Sequence, residues 1–167
     1  ARDRAGGQPA ASVTLAERQP EALAQDLADE LAFLRDADPD EVDTTLLMHP
    51  GVLHDFLDYN DFLGVAETEI ERGGFEGVLQ IASFHPDYVF AGADADDVSN
   101  ATNRAPWPLL HLLREESIDR AVAAYPDPGA IVGRNLARMA QLGADGWRHL
   151  LATILSALAM SELIGRP

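Results

Sequence analysis

The chain contains no cysteine and no lysine. Without cysteine it cannot form disulfides, thiolate nucleophiles, iron–sulfur clusters or zinc–thiolate sites. Without lysine, all 12 basic residues are arginine, and they face 28 acidic residues, which gives a formal net charge of -16 at pH 7. A protein of this charge repels nucleic-acid phosphates and anionic membrane surfaces, so we expect neither as a partner.

Several sequence signals are also missing. No apolar run approaches the roughly 20 residues of a membrane span, and the polar N-terminus has no apolar signal-peptide region. There is no glycine-rich phosphate loop, dinucleotide fingerprint or nucleophile elbow. With 167 residues, 47% of them hydrophobic, we expect one soluble, cytoplasmic domain over residues 1–167, with 1–11 disordered. Arginine-only usage beside abundant Ala, Asp and Gly is typical of a GC-rich bacterial genome.

The residue pattern predicts an α/β sandwich built on a small four-stranded mixed sheet packed with helices. Strands are predicted over 12–15, 43–49, 77–84 and 109–113, and helices are predicted to begin at Pro20, Val52, Ser117, Pro128 and Trp147. The first three strands are joined by helical crossovers and are expected to be parallel. The C-terminal extension over 144–165, with its helix over 147–163, is apolar around much of its circumference, so the fold buries it or it forms a homodimer surface.

The most informative stretch is polar and proline-rich and runs from His85 to His111. It follows an apolar run that ends at Phe84, and it leads into another that begins at Leu109. Long loops between rigid elements are where binding and catalytic groups usually lie. We therefore expect the functional site here, at the carboxyl edge of the sheet, with His49 as an outlying candidate because it also follows a strand.

Six runs carry a resemblance to a known family, at 43–47, 56–63, 77–88, 97–100, 102–106 and 110–115. The most specific are His-Pro-Asp-Tyr at 85–88 and Asp-Val-Ser-Asn followed by Asn-Arg at 97–104. Over about residues 13 to 150 the chain resembles the bacterial and plant domain-of-unknown-function family 1415. The resemblance implies no particular activity. Family members usually carry an Asn-Leu-Cys-Pro-Phe-like segment before the first strand; this chain has no cysteine, so we expect that segment to be missing or lost.

Two histidines and a carboxylate of the 85–111 segment suit a metal ion. His85 follows one predicted strand, His111 lies in another, and Asp97 lies between them in sequence. Two histidines and one carboxylate with open positions are the arrangement of many non-haem iron sites, and they also suit zinc. We expect iron first and zinc second, and a haem held by His85 is a less favoured variant. In the alternative, His85 hydrogen-bonds a turn and His111 is a satisfied core histidine.

Amides and arginines in and beside the segment suit a small anionic substrate. The candidates for binding it are Asn100, Asn103, Arg104 and Arg114. A guanidinium held among carboxylates in so acidic a chain is either paired structurally or available to a ligand carboxylate or phosphate. Structural pairing, for instance of Arg104 with Asp97, is the alternative to ligand binding.

Acid–base chemistry without a metal is also open, with His85 as a base oriented by Asp87 or His111 as a base oriented by Glu115. The leading hypothesis is therefore a metal-dependent small-molecule enzyme, an oxidoreductase or a hydrolase, that acts on a small anionic substrate. The rival is a non-catalytic accessory protein that dimerises or docks through its C-terminal helix. The enzyme hypothesis requires His85 and His111 to share a solvent-connected pocket. The accessory-protein hypothesis requires the two side chains to be separated, or to have all their hydrogen bonds made inside the fold.

Overall fold

A computed structural model describes residues 10–15, 20–127 and 129–164. In chain order the elements are β1 (Ala10–Leu15), α1 (Pro20–Asp36), β2 (Val42–Met48), α2 (Phe56–Gly73), β3 (Leu79–Phe84), a 3-10 helix (Val98–Asn103), β4 (Leu109–Arg114), α3 (Glu115–Ala124) and α4 (Ala130–Ile164). The predicted fold class, a four-stranded mixed sheet packed with helices and extended by C-terminal helix, is confirmed.

The strand order in the sheet is β1-β2-β4-β3. β1 and β2 are parallel, and β4 is antiparallel to both β2 and β3. The first three strands therefore run in the same direction, as predicted, but β4 lies between β2 and β3. Because β2 and β3 run in the same direction, their carboxyl ends lie at the same end of the sheet, and the segment between β3 and β4 begins there too.

Helices α1 and α2 cover one face of the sheet. Four leucines of α1 recur at spacings of four and three, and all are fully buried: Leu23, Leu27, Leu31 and Leu34. They belong to one core cluster with Leu110 and Leu112 of β4, and His111, between these two, points to the opposite face. Burying each leucine stabilises the fold by about 1.5–3 kcal/mol, so this layer fixes the position of the sheet.

Helix α2 begins four residues later than predicted. The Asp55 carboxylate accepts hydrogen bonds from the N–H groups of Leu57 and Asp58, at 2.8 and 3.3 Å, and so forms the N-cap. Leu53 has a positive φ of 56°, which a helix cannot contain, so the helix cannot extend back to Val52. At the other end, the predicted glycine termination is confirmed, with residue 74 in the left-handed conformation.

Two further elements differ from the prediction: the 3-10 helix within the polar segment had no signal, and α3 begins at Glu115 rather than after a Ser117 cap. The predicted break between the two C-terminal helices is confirmed, because α4 consists of two helical parts separated at Gly143, whose φ and ψ are not helical. Of the residues predicted to be disordered, 10 and 11 belong to β1, and 1–9 lie outside the described residues. None of the described helices is both long and apolar enough to cross a membrane.

Candidate functional site

His85 follows β3 and is fully buried on the face that α1 and α2 cover. Its Nδ1 accepts a hydrogen bond from the Asp87 backbone N–H at 3.0 Å, so Nε2 carries the proton and donates to the Leu53 carbonyl at 3.1 Å. The ring packs between Phe56 and Tyr59, with centroid distances of 5.3 and 5.0 Å. Both ring nitrogens are therefore used inside the fold, and the Asp87 carboxylate is not what orients the ring.

His111 lies on the opposite face of the sheet. Its Nε2 is 2.6 Å from the Thr44 hydroxyl, which itself donates to the Leu112 carbonyl at 2.6 Å, so the imidazole is the donor to Thr44. Burial lowers the pKa of His111 below its usual range. The structure does not bring His85 and His111 together, because alternate residues of a strand point to opposite faces.

A tyrosine that the sequence analysis did not single out lies at the centre of this edge. The fully buried Tyr59 hydroxyl accepts a hydrogen bond from the Phe84 N–H at 3.0 Å and donates to the Leu109 carbonyl at 2.9 Å. It thus replaces the last direct hydrogen bond between β3 and β4. Burial raises the pKa of Tyr59 well above its usual range, so the hydroxyl stays protonated and can make both bonds.

His49 follows β2 and is also fully buried, against the ring of Tyr59 at a centroid distance of 5.9 Å. Neither of its ring nitrogens has a hydrogen-bond partner among the described residues. Burial lowers the pKa of His49 to about 4. At neutral pH the imidazole is therefore uncharged.

The two asparagines predicted to bind substrate support the segment from within. Asn100 is fully buried; its Oδ1 accepts from the Phe90 N–H at 3.0 Å, and its Nδ2 donates to the Asp94 carbonyl at 2.8 Å. Asn103 donates from Nδ2 to the Ser83 carbonyl at 3.1 Å, which ties the segment to β3. These amides hold the polar segment in one conformation.

Arg114 is the last residue of β4 and lies at the opposite end of the sheet, where β2 and β3 begin. Its buried guanidinium donates to the carbonyls of Leu34, Ala37 and Val42, with 2.8 Å to Ala37. Leu34 lies in the last turn of α1 and Ala37 directly follows the helix, where carbonyls lack helical partners. Arg114 is thus a structural cap, and the fold separates it from the other predicted substrate ligands.

Arg104 is fixed in place without a carboxylate. Its Nε donates to the Tyr88 carbonyl at 3.1 Å and its Nη2 donates to the Ala95 carbonyl at 2.8 Å. The ion pair with Asp97 does not form, and no ion pair joins Arg104 to any other described residue. The Asp97 carboxylate instead accepts from the Ser99 N–H at 2.8 Å, which caps the 3-10 helix and lowers the pKa of Asp97.

Arg104 and Asp97 line a cleft of about 460 Å³ between the 3-10 helix and α4. The charged, aromatic and thioether side chains that line it are Asp96, Asp97, Arg104, Met139, Trp147 and Arg148. Gly143 also lines it, and its φ of 66° produces the kink with which α4 follows the segment. Neither His85 nor His111 lines the cleft, so of the predicted site residues it brings together Arg104 and Asp97 alone.

The predicted metal ligands His85, His111 and Asp97 thus lie in three different environments: in the core, on the opposite face and at the cleft. Throughout residues 10–15, 20–127 and 129–164, no group of three or more histidine and carboxylate side chains is placed to hold a metal ion. The residues named for a shared site do not fit one, and a bound metal stays a prediction.

Comparison with known proteins adds a family and no activity. Neither the curated proteins nor the solved structures include a match to the chain. A family model does match, over residues 4–149, which is most of the chain, and it bears out the resemblance drawn from the runs between 43 and 115. The chain therefore belongs to the family described as protein of unknown function DUF1415.

Proposed function

We propose that this protein binds a small anionic ligand in the cleft between the 3-10 helix and α4, with Arg104 as the cation that recognises it. One observation carries the proposal: two backbone carbonyls immobilise the Arg104 guanidinium, and no described carboxylate neutralises it. In a chain of net charge -16, a cation held in this way retains donors for a ligand. The fixed geometry also lowers the entropy that binding would cost.

The cleft favours a ligand with a single negative charge and an apolar part. Asp96 and Asp97 line the same space and would repel a doubly charged phosphate more than a carboxylate. Trp147 and Met139 offer an apolar surface to the rest of the molecule. We therefore infer that the ligand is a monocarboxylate with an aromatic or aliphatic body.

The arrangement favours binding over catalysis. The imidazoles expected to move protons or hold a metal lie outside the cleft. Among its described lining residues, the carboxylates of Asp96 and Asp97 are the groups that could serve as a general base, and that of Asp97 is already engaged as the cap of the 3-10 helix. Elemental mass spectrometry of the purified protein beside His85→Ala tests the iron or zinc prediction directly. Stoichiometric metal that the variant loses while its fold survives would restore the metal-dependent enzyme.

The ligand proposal is tested with benzoate, because its carboxylate suits Arg104 and its ring suits Trp147. In a Trp107→Phe background, Trp147 is the one remaining tryptophan and its fluorescence reports on the cleft. We expect saturable binding of benzoate with a dissociation constant of about 1 mM or tighter, and much weaker binding of the neutral benzamide.

The matched variants are Arg104→Gln and Arg138→Gln, which remove one positive charge each. Arg138 is an exposed residue of α4 that does not line the cleft. Arg104→Gln should weaken benzoate binding about tenfold or more, because it removes a charge-assisted hydrogen bond, and Arg138→Gln should leave it nearly unchanged. Equal affinity for benzoate and benzamide, or equal effects of the two substitutions, would refute the proposal.

A non-catalytic accessory role through α4 is the second candidate. It is favoured by the separation of His85 from His111 and by exposed apolar side chains on this helix, among them Val132 and Leu150, which are 67% and 42% exposed. In this case the protein self-associates, and Val132→Glu weakens the association as measured by sedimentation velocity. A monomer at all concentrations would refute docking between two copies.

A further inference from the structure

β3 forms one edge of the sheet. It pairs with β4 on one side, and no strand of the described chain pairs with it on the other. An uncovered edge strand presents backbone N–H and C=O groups that another chain can use. What matters for recognition is which of these groups point outwards and what surrounds them.

The hydrogen bonds at the two ends of β3 determine its orientation. The Val78 carbonyl accepts from the Glu115 N–H, and the Phe84 N–H is linked to the Leu109 carbonyl through the Tyr59 hydroxyl. The backbone N–H and C=O groups of the even-numbered residues of β3 therefore point towards β4. Leu79, Ile81 and Ser83 therefore point their backbone groups outwards. Two of these groups have partners, because the Leu79 N–H donates to Phe75 and the Ser83 carbonyl accepts from Asn103.

Four outward groups remain: both groups of Ile81, the Leu79 carbonyl and the Ser83 N–H. No described residue bonds to them. They alternate along the strand as a fifth strand of the sheet would require. They open into a groove of about 460 Å³ between β3 and α2.

The groove has an apolar floor and acidic walls. Leu63, Ala66 and Ile70 of α2 form the floor together with β3. Four glutamates line the walls: Glu67, Glu71, Glu76 and Glu115. No arginine is among the described lining residues, so the carboxylates stand without an opposite charge inside the groove.

We propose that this groove binds an extended, basic segment of a partner protein, which joins the sheet as a fifth strand beside Ile81. Backbone hydrogen bonds would supply affinity, apolar side chains on the side of the segment that faces α2 would cover the floor, and the positive charge of its Lys or Arg residues would be attracted by the four glutamates. A second copy of this chain would bring further carboxylates to the groove, because the net charge is -16. The groove is separate from the Arg104 cleft, so the two proposals stand or fall independently.

A capped peptide of alternating Lys and Val, titrated into the isotope-labelled protein, tests this proposal by amide chemical shifts. We expect shifts at Leu79, Ile81, Ser83 and along α2, and none for a matched peptide of alternating Glu and Val. Methylation of one alternate set of peptide backbone nitrogens should weaken binding about tenfold, and methylation of the other set should not, because one edge of the peptide faces β3.

Charge-matched variants separate the groove from the overall acidity. Glu67→Gln combined with Glu71→Gln should weaken peptide binding about tenfold at low salt, whereas Asp61→Asn combined with Asp119→Asn, at exposed positions outside the groove, should change it little. Equal effects of the two pairs, or shifts confined to other surfaces, would refute the proposal. Concentration-dependent shifts at β3 without any peptide would also refute it and would assign the edge to a second copy.

Discussion

At the scale of the residue, the Tyr59 hydroxyl joins β3 to β4 at the point where the two strands separate. Tyr59→Phe removes a bridge that is both acceptor and donor and leaves the Phe84 N–H and the Leu109 carbonyl without that partner. We expect the free energy of unfolding to fall by about 1–3 kcal/mol in urea denaturation. Tyr125→Phe is the control, because Tyr125 is 41% exposed and its contact with Arg134 is through the ring. Equal losses in the two variants would contradict the bridge.

His49 predicts a pH dependence of stability. Its pKa is about 4 in the folded chain and near 6.5 in the unfolded chain, so the neutral imidazole favours the folded state. The stabilisation that results from this difference is present in full above about pH 6.5 and is lost as the pH falls towards 4. Over that window we expect the free energy of unfolding to decrease by about 3 kcal/mol.

His49→Leu should abolish this part of the pH dependence. The expected result is a smaller difference between the unfolding free energies at about pH 7.5 and about pH 5 than in the parent protein, measured in urea. His149→Leu, at an exposed position of α4, should keep the parent difference. A His49→Leu variant with the parent pH dependence would contradict a buried, unpartnered imidazole.

The sequence indicated which polar residues lie at the carboxyl end of the sheet, but it did not determine the role of each one. The turn at His85 and the loop containing Asn100 were recognisable because polar groups interrupt apolar runs. The face on which His111 lies was not, since Leu109, Leu110, Leu112 and Leu113 surround it with leucines on both faces and leave no alternation to read. The role of Arg104 depended on whether Asp97 points at it, which sequence spacing does not determine.

At the scale of the element, the kink in α4 brings its second half alongside the polar segment. Gly143 combines a φ of 66° with a ψ of 174°, a conformation that is essentially restricted to glycine, although space for a Cβ exists. We expect Gly143→Ala to cost about 1–3 kcal/mol in denaturant unfolding. Gly133→Ala, in the same helix and also without a steric obstacle, should instead stabilise by up to about 1 kcal/mol. Effects of the same sign would contradict a strained kink.

Element existence was more predictable than element boundaries. The leucine spacing of α1 and the apolar run that ends at Phe84 are long, regular patterns, and both elements formed as predicted. The late start of α2 depends on the backbone conformation of Leu53 and on the Asp55 cap, which lie within three residues and compete with the apolar periodicity from Val52. The 3-10 helix had no signal, because its cap Asp97 and its buried Asn100 resemble ordinary loop residues.

At the scale of the whole molecule, the excess of 28 acidic over 12 basic residues stores electrostatic repulsion in the folded state. Raising the ionic strength from about 0.01 M to about 0.15 M shortens the Debye length from about 30 Å to about 8 Å and screens that repulsion. We therefore expect the melting temperature, measured by circular dichroism, to rise with NaCl over this range. A flat or falling melting temperature would show that local ion pairs outweigh the net charge.

The insertion of β4 between β2 and β3 has a consequence for synthesis on the ribosome. While the growing chain stops short of residue 109, β1 and β2 can pair beneath α1, but β3 has no neighbouring strand. Completing 109–114 joins β2 to β3 through β4 and lets the Tyr59 hydroxyl bridge β3 and β4. A ribosome paused before that point carries a nascent chain in which the edges of β2 and β3 that β4 later occupies are both open, so we expect this to be the stage of synthesis most prone to aggregation.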